Sequence, residues 1–169
     1  MMRVKLLLIS LLVAAATAAV AASGLPQIDD FAGVYKQPSA PPHDDPFHVP
    51  EDVMEVVKVS DSQAYIRIRL TAANGGVCGI WGIADYMAVD LVYRTRDLTG
   101  ATCLLAVRPY ATRVLLSDPA NSCRQFCGST GKFDGMAFER SGRRKITYMK
   151  QLLASREYAQ AVAERDRKK

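Results

Sequence analysis

The chain predicts a mainly β fold: an antiparallel meander of about eight short strands, closed into a small barrel and followed by a C-terminal helical segment. Three observations carry this. Apolar and polar residues alternate in short runs, most clearly in YIRIRLT (residues 65–71), where Ile66, Ile68 and Leu70 interleave with Arg67, Arg69 and Thr71, giving a strand with one wet face. Such runs recur mostly 8 to 14 residues apart, with Gly, Pro or Asn between them. No 3.6-residue period interrupts them before Gly142, so the crossover helices of a parallel sheet are missing. Eight strands suffice to close a sheet and remove its edges. A two-sheet sandwich is the alternative.

Taken in order, residues 1–22 read as a secretory signal peptide. Arg3 and Lys5 precede the apolar run LLLISLLV, and small residues lead to cleavage near Ala21 or Ala22. A membrane anchor would need about 20 apolar residues, and Ser23, Gly24 and Pro26 follow too soon. The first cysteine is Cys78, which removes lipid attachment through an N-terminal cysteine. A soluble periplasmic or secreted product is expected.

The barrel domain is assigned to residues 23–141. FAGVYK (31–36) opens it as a strand. QPSAPPHDDPFHVPED (37–52) holds five prolines, which fix φ and remove ladder donors, so it reads as an extended surface loop. His43 and His48, with Asp44 and Asp45 between them, lie in this loop without the rigid support that a metal or acid–base site requires. A period-two pattern starts at Val53 and runs through residues 65–71 to Asn74-Gly75, a tight-turn dipeptide. GVCGIWGIADY follows, with Gly79 and Gly82 around Trp81 marking a bulge or bend. AVDLVYR (88–94), TCLLAVR (102–108), TRVLLS (112–117) and FDGMAFER (133–140) complete the strands.

Residues 142–169 change character and read as a basic amphipathic helical tail. Tyr148, Leu152, Ala159 and Val162, with Met149 and Leu153 beside them, make an apolar stripe expected against the barrel wall or across one mouth. Ser155 interrupts the stripe and is placed to cap a second helix, with Glu157 in its first turn. Arg143, Arg144 and Lys145 read as a solvated helix start in preference to a polyanion cluster. Charge divides along the chain: residues 23–139 carry 10 basic and 14 acidic side chains, residues 140–169 carry 10 and 3.

Four cysteines in an exported chain are read as two disulfides. The intervals between them are 24, 19 and 3 residues, which supplies one short pair where a four-thiolate zinc site uses two. Three residues between Cys123 and Cys127 also exceed the two of a thioredoxin-type motif. An up-and-down meander brings all four sulfurs to one rim. Cys78 and Cys103 then sit on alternate strands, nearly 10 Å apart at about 4.8 Å per strand, beyond the reach of a bridge. Cys103 with Cys123 and Cys78 with Cys127 is the first choice among the three connectivities, each bridge worth roughly 3 kcal/mol.

The segments GVCGIWGIAD, LVYRT, CLLAV and SCRQFCGSTGKFDGMAFER resemble a small secreted domain of bacteria with lysozyme-inhibitor-like members. The resemblance covers about residues 33–140. It implies a periplasmic or secreted, disulfide-bonded β-barrel, with lysozyme as the protein partner of some members. The absent lipid cysteine, the Pro-rich insertion and the basic tail depart from a minimal inhibitor barrel.

The function expected is therefore recognition. The loop GSTGK would present Ser129 and Lys132 to a partner, and the acidic body would be drawn to a cationic lysozyme. Two other readings are an envelope adaptor tethered weakly to anionic components by its tail, and a barrel holding a small ligand against Trp81, Tyr86, Tyr93 and Phe138. No catalytic constellation is present: both histidines sit in the loop, and Phe133 after Lys132 breaks the phosphate-loop frame. No catalytic residue, metal, cofactor or nucleic-acid partner is assigned.

Overall fold

A computed structural model describes residues 27–39, 50–72, 76–96 and 100–167. The expected signal peptide, His43, His48 and Asn74-Gly75 lie outside the described residues. Eight strands form one antiparallel sheet in sequence order: β1 Gly33–Pro38, β2 Glu51–Ser60, β3 Gln63–Thr71, β4 Val77–Met87, β5 Asp90–Arg96, β6 Thr102–Pro109, β7 Arg113–Ser117 and β8 Ala137–Glu139. The meander curls into a nearly closed barrel. A short helix α1 (Ile28–Phe31) precedes it, and α2 (Met149–Leu153) and α3 (Arg156–Arg167) follow.

Inward residues fill the barrel because alternate positions of each strand share one face. Met54, Ile66, Ile68, Leu91, Leu105 and Leu116 are fully buried in this core. Phe31 of α1 enters the mouth where β4 ends, its ring 6.3 Å from that of Tyr86. The Tyr35 hydroxyl donates to the Phe31 carbonyl at 2.7 Å. The first segment is thus a helical plug before the strand, where the sequence suggested a strand from residue 31.

Closure uses the basic triplet. Val34 and Arg144 form an antiparallel bridge, with Val34 N donating to Arg144 O at 2.9 Å and Arg144 N to Val34 O at 2.8 Å. A side chain at Gly33 would strike the Arg144 carbonyl at 2.7 Å, and its φ of +148° also favours glycine. Arg143 donates to the Asp29 and Asp30 carbonyls at 3.2 and 2.5 Å, and Arg140 to that of Asp30 at 2.9 Å. These two arginines satisfy carbonyls of α1 that a four-residue helix leaves unpaired. Residues 143–146 therefore run extended, and the expected solvated helix start is instead the seam of the barrel.

Two other expectations change. The outer face of β3 is wet only at one end: Tyr65 is fully buried and Arg67 half-buried beneath the tail, while Arg69 is exposed. The tail stripe is also shifted. Leu152 and Ala161 are buried and Tyr158 packs on Tyr65 with ring centroids 5.1 Å apart, while Ala159 and Leu153 are exposed. The helix breaks at Ala154-Ser155, which resets the phase that an unbroken 3.6-residue count would carry through. Ser155 Oγ accepts from Tyr158 N at 3.2 Å and starts α3 as its residue type suggests.

Candidate functional site: the stapled rim

At the rim opposite α1, the chain between β7 and β8 is anchored from its first residue. Asp118 is buried, and its carboxylate accepts from Ser122 N at 2.7 Å, Ser122 Oγ at 2.8 Å and Cys123 N at 2.9 Å. Ser122 Oγ in turn accepts from Leu104 N at 2.9 Å, tying the turn to β6. A buried carboxylate with three donors is satisfied without a counter-charge. The sequence reading did not single out Asp118 or Ser122. The Asp118-Pro119 dipeptide was the available signal, since Asp at the start of a turn bonds the backbone that follows.

Cys123 then bridges to Cys103, their Cα atoms 4.4 Å apart. One 3-10 turn, Arg124–Phe126, carries the chain across the rim to Cys127, which bridges to Cys78 with Cα atoms 3.9 Å apart. Cys127 also lies directly opposite Cys78 as a β-bridge partner, and Gly128 N donates to Val77 O at 3.0 Å. The four cysteines meet at one rim and none is free. For sequence separations of 49 and 20, the chain-entropy account gives about 4 and about 3 kcal/mol for the two bridges.

Beyond Cys127 the loop turns tightly, with Gly131 N donating to Gly128 O at 3.1 Å and Gly131 buried against the Cys78 sulfur. Ser129, Thr130 and Lys132 are exposed on this turn. Arg124 reaches back to the Ser129 carbonyl at 3.1 Å. Ser129 and Lys132 therefore stand on one short turn held at its start by the Cys78–Cys127 bridge and braced by Arg124. Expected strand 133–140 is shorter: Phe133 is buried, Gly135 turns with φ +78°, and only Ala137–Glu139 pair with β7.

Trp81, Tyr86, Tyr93 and Phe138 do not line one pocket. Phe138 packs in the core, 6.3 Å from the Tyr35 ring, and Tyr86 meets the plug. Trp81 lies on the outer face beneath the tail. Gly82 marks no bulge, since β3 and β4 pair in unbroken register; its missing side chain leaves the space that the Tyr93 ring occupies. Burial pushes the Tyr93 hydroxyl up to about 12.

Under the tail, Glu55 is buried and accepts from Arg67 Nη2 at 2.8 Å, from Arg67 Nε, and from the Tyr148 hydroxyl. Burial first, and the bond to Glu55 second, raise Tyr148 to about 12. Among the described residues no group of three or more His, Cys, Asp or Glu side chains is placed to hold a metal ion. Among them, too, no helix is long and apolar enough to cross a membrane. No family model matches the chain, and no curated protein or solved structure does so either.

Proposed function

We propose that the protein is an exported binding module that recognises a protein partner through the stapled rim, with lysozyme-type glycosidases as the partner class. One observation carries the reading: both disulfides hold the short segment Cys123–Cys127, and the turn that follows directly exposes Ser129, Thr130 and Lys132. Two covalent staples hold this turn in place before any partner arrives, which lowers the ordering cost of binding. Glycosidases carry two carboxylates flanking the scissile bond. A lysine ammonium and neighbouring hydroxyl donors match that pair in charge and in hydrogen bonding, so the loop is suited to plug such a cleft. The acidic body would steer encounter with a cationic enzyme. The leader pattern and the two disulfides both fit an oxidising compartment.

Surface-immobilised mature chain titrated with purified lysozymes tests this. Nanomolar to micromolar binding is expected, weakened about 100-fold by Lys132→Glu, because leaving an ammonium's carboxylate partners facing a like charge costs several kcal/mol. Wild-type binding no better than buffer would discard the inhibitor reading.

A second reading, an envelope adaptor, draws on the tail. Leu152 and Ala161 fix the helices to the wall while Lys145, Lys150 and Arg156 point outward. Reversing these three charges would abolish salt-sensitive binding to anionic vesicles if the tail is the tether; vesicle binding unchanged by the reversal would count against it.

A further inference from the structure

The hairpin of β4 and β5 opens toward the stapled rim. β4 runs from Val77 to Met87, yet it pairs with β5 only over Ala84–Met87. At the rim another segment takes the vacated place: Cys127 lies antiparallel beside Cys78, and Gly128 N donates to Val77 O at 3.0 Å. The place beside β4 that β5 has left therefore already admits extended chain. On the side toward Gly79 that chain is coiled into the 3-10 turn Arg124–Phe126, so the ladder begun at Cys127 goes no further.

The direction of the main chain follows from these bonds. In an antiparallel ladder, alternate residues turn both their N–H and C=O to the same side. Val77 accepts from the Cys127 segment, whereas Tyr86 N donates at 2.7 Å to Ser62 O on the opposite side, toward β3. Trp81 shares the parity of Val77. It therefore directs both main-chain groups into the opening, with no strand opposite it among the described residues. Across from it, Arg96 lies on β5 beyond Tyr93, the last residue there to pair with β4. A cavity of about 310 Å³ fills the space, lined among others by Gly79, Trp81, Thr95, Arg96 and Phe126. A side chain at Gly79 would meet nothing within 4 Å, and the buried Tyr93 ring against Gly82 closes the floor.

Main-chain donors and acceptors at strand spacing are matched by a polymer that carries the same groups at the same spacing, an extended polypeptide. We infer that the opening beside β4 accepts an extended peptide segment of a partner protein as an added strand, continuing antiparallel from the position held by Cys127. Arg94 and Arg96 are exposed on its β5 margin, so glutamate or aspartate at the outward positions of the peptide is favoured over lysine. Neither Ser129 nor Lys132 takes part, so the site stands or falls independently of the rim turn.

Residue-resolved amide exchange on the unsubstituted mature chain tests this, with a capped hexapeptide of alternating valine and glutamate as the probe. In the free protein the Trp81 amide should exchange at least about tenfold faster than those of Ile80 and Gly82, which face β3. Saturating peptide should slow Trp81 exchange by about tenfold or more and leave Ile80 unchanged. The same peptide N-methylated at every second amide, made in both registers, should bind at least about tenfold more weakly in one register or both, because each methyl removes a ladder donor. An alternating valine–lysine peptide should also bind about tenfold more weakly, and R94E/R96E should invert that preference. A Trp81 amide as protected as Ile80 in the free protein overturns the inference. So does exchange unmoved by saturating peptide, or binding indifferent to N-methylation in both registers. Protection of Trp81 that grows with protein concentration in the absence of peptide overturns it too, in favour of strand exchange between copies of this chain.

Discussion

The two halves of the barrel wall use the same alternation and end up in different environments. On β1 to β4 the outward residues include Val34, Val57, Tyr65, Trp81 and Ile83, and the tail covers them with Ile146, Leu152, Tyr158 and Ala161. On β5 to β7 the outward residues include Arg94, Arg96, Leu104, Arg108 and Arg113, which are exposed or half-buried. Leu104 is 44% exposed there, and Arg108 pairs with Asp90 at 2.6 Å near solvent. Inward faces alone would make both halves equivalent. The outward residues decide whether a second layer can form, because only an apolar outer face gains from being covered.

Variants across the two halves test this contrast. The largest effect is expected where the halves are sewn together: the segment following β7 on the bare side reaches β4 on the covered side through Cys127. C78S/C127S should cost about 4 kcal/mol in urea unfolding, with C103S/C123S costing about 3. On the covered wall, Glu55→Gln removes the negative charge facing Arg67 and replaces one of the two accepting oxygens with an NH2 donor, and should cost about 2 kcal/mol. Amide exchange should then rise across α2 and α3 before it rises in β6. Tyr65→Phe should do the reverse. The Tyr65 hydroxyl is buried without a hydrogen-bond partner, so its removal should stabilise the fold by about 1 kcal/mol, read as a raised melting midpoint. Leu104→Ser on the bare wall should change stability by less than about 0.5 kcal/mol, as for surface positions in general. A larger loss there would mean that the bare wall carries a layer of its own.

The meander, the strand count and the convergence of the cysteines at one rim were legible because each follows from local signals. Period-two runs and turn residues fix the strands, and strand direction then fixes which ends meet. The covered wall was harder to see. Tyr65-Ile66-Arg67-Ile68-Arg69 alternates as a half-wet strand should, and only the tertiary partner of Arg67, a buried Glu55 on the neighbouring strand, shows that its outer face is covered around Tyr65 and Arg67. The basic triplet misled for a related reason. Arg143 and Arg144 act through backbone carbonyls of α1 and β1, more than a hundred positions away, and such contacts leave no periodic trace. At the candidate site, exposed Ser129 and Lys132 followed from the glycine turn, whereas the Asp118 anchor depends on a loop returning on itself. The opening between β4 and β5 had only the glycine at position 82 as a cue, and a glycine in a strand has several readings.

The Val34–Arg144 bridge also orders events in time. Apart from it and the Cys78–Cys127 bridge, the strand pairings join neighbours in sequence, so each hairpin can assemble soon after its second strand becomes available. The bridge joins residues at opposite ends of the domain, and the chain is made at about 5–20 residues per second, N-terminal end first. The first strand must wait with its edge unpaired until nearly all the rest has been synthesised.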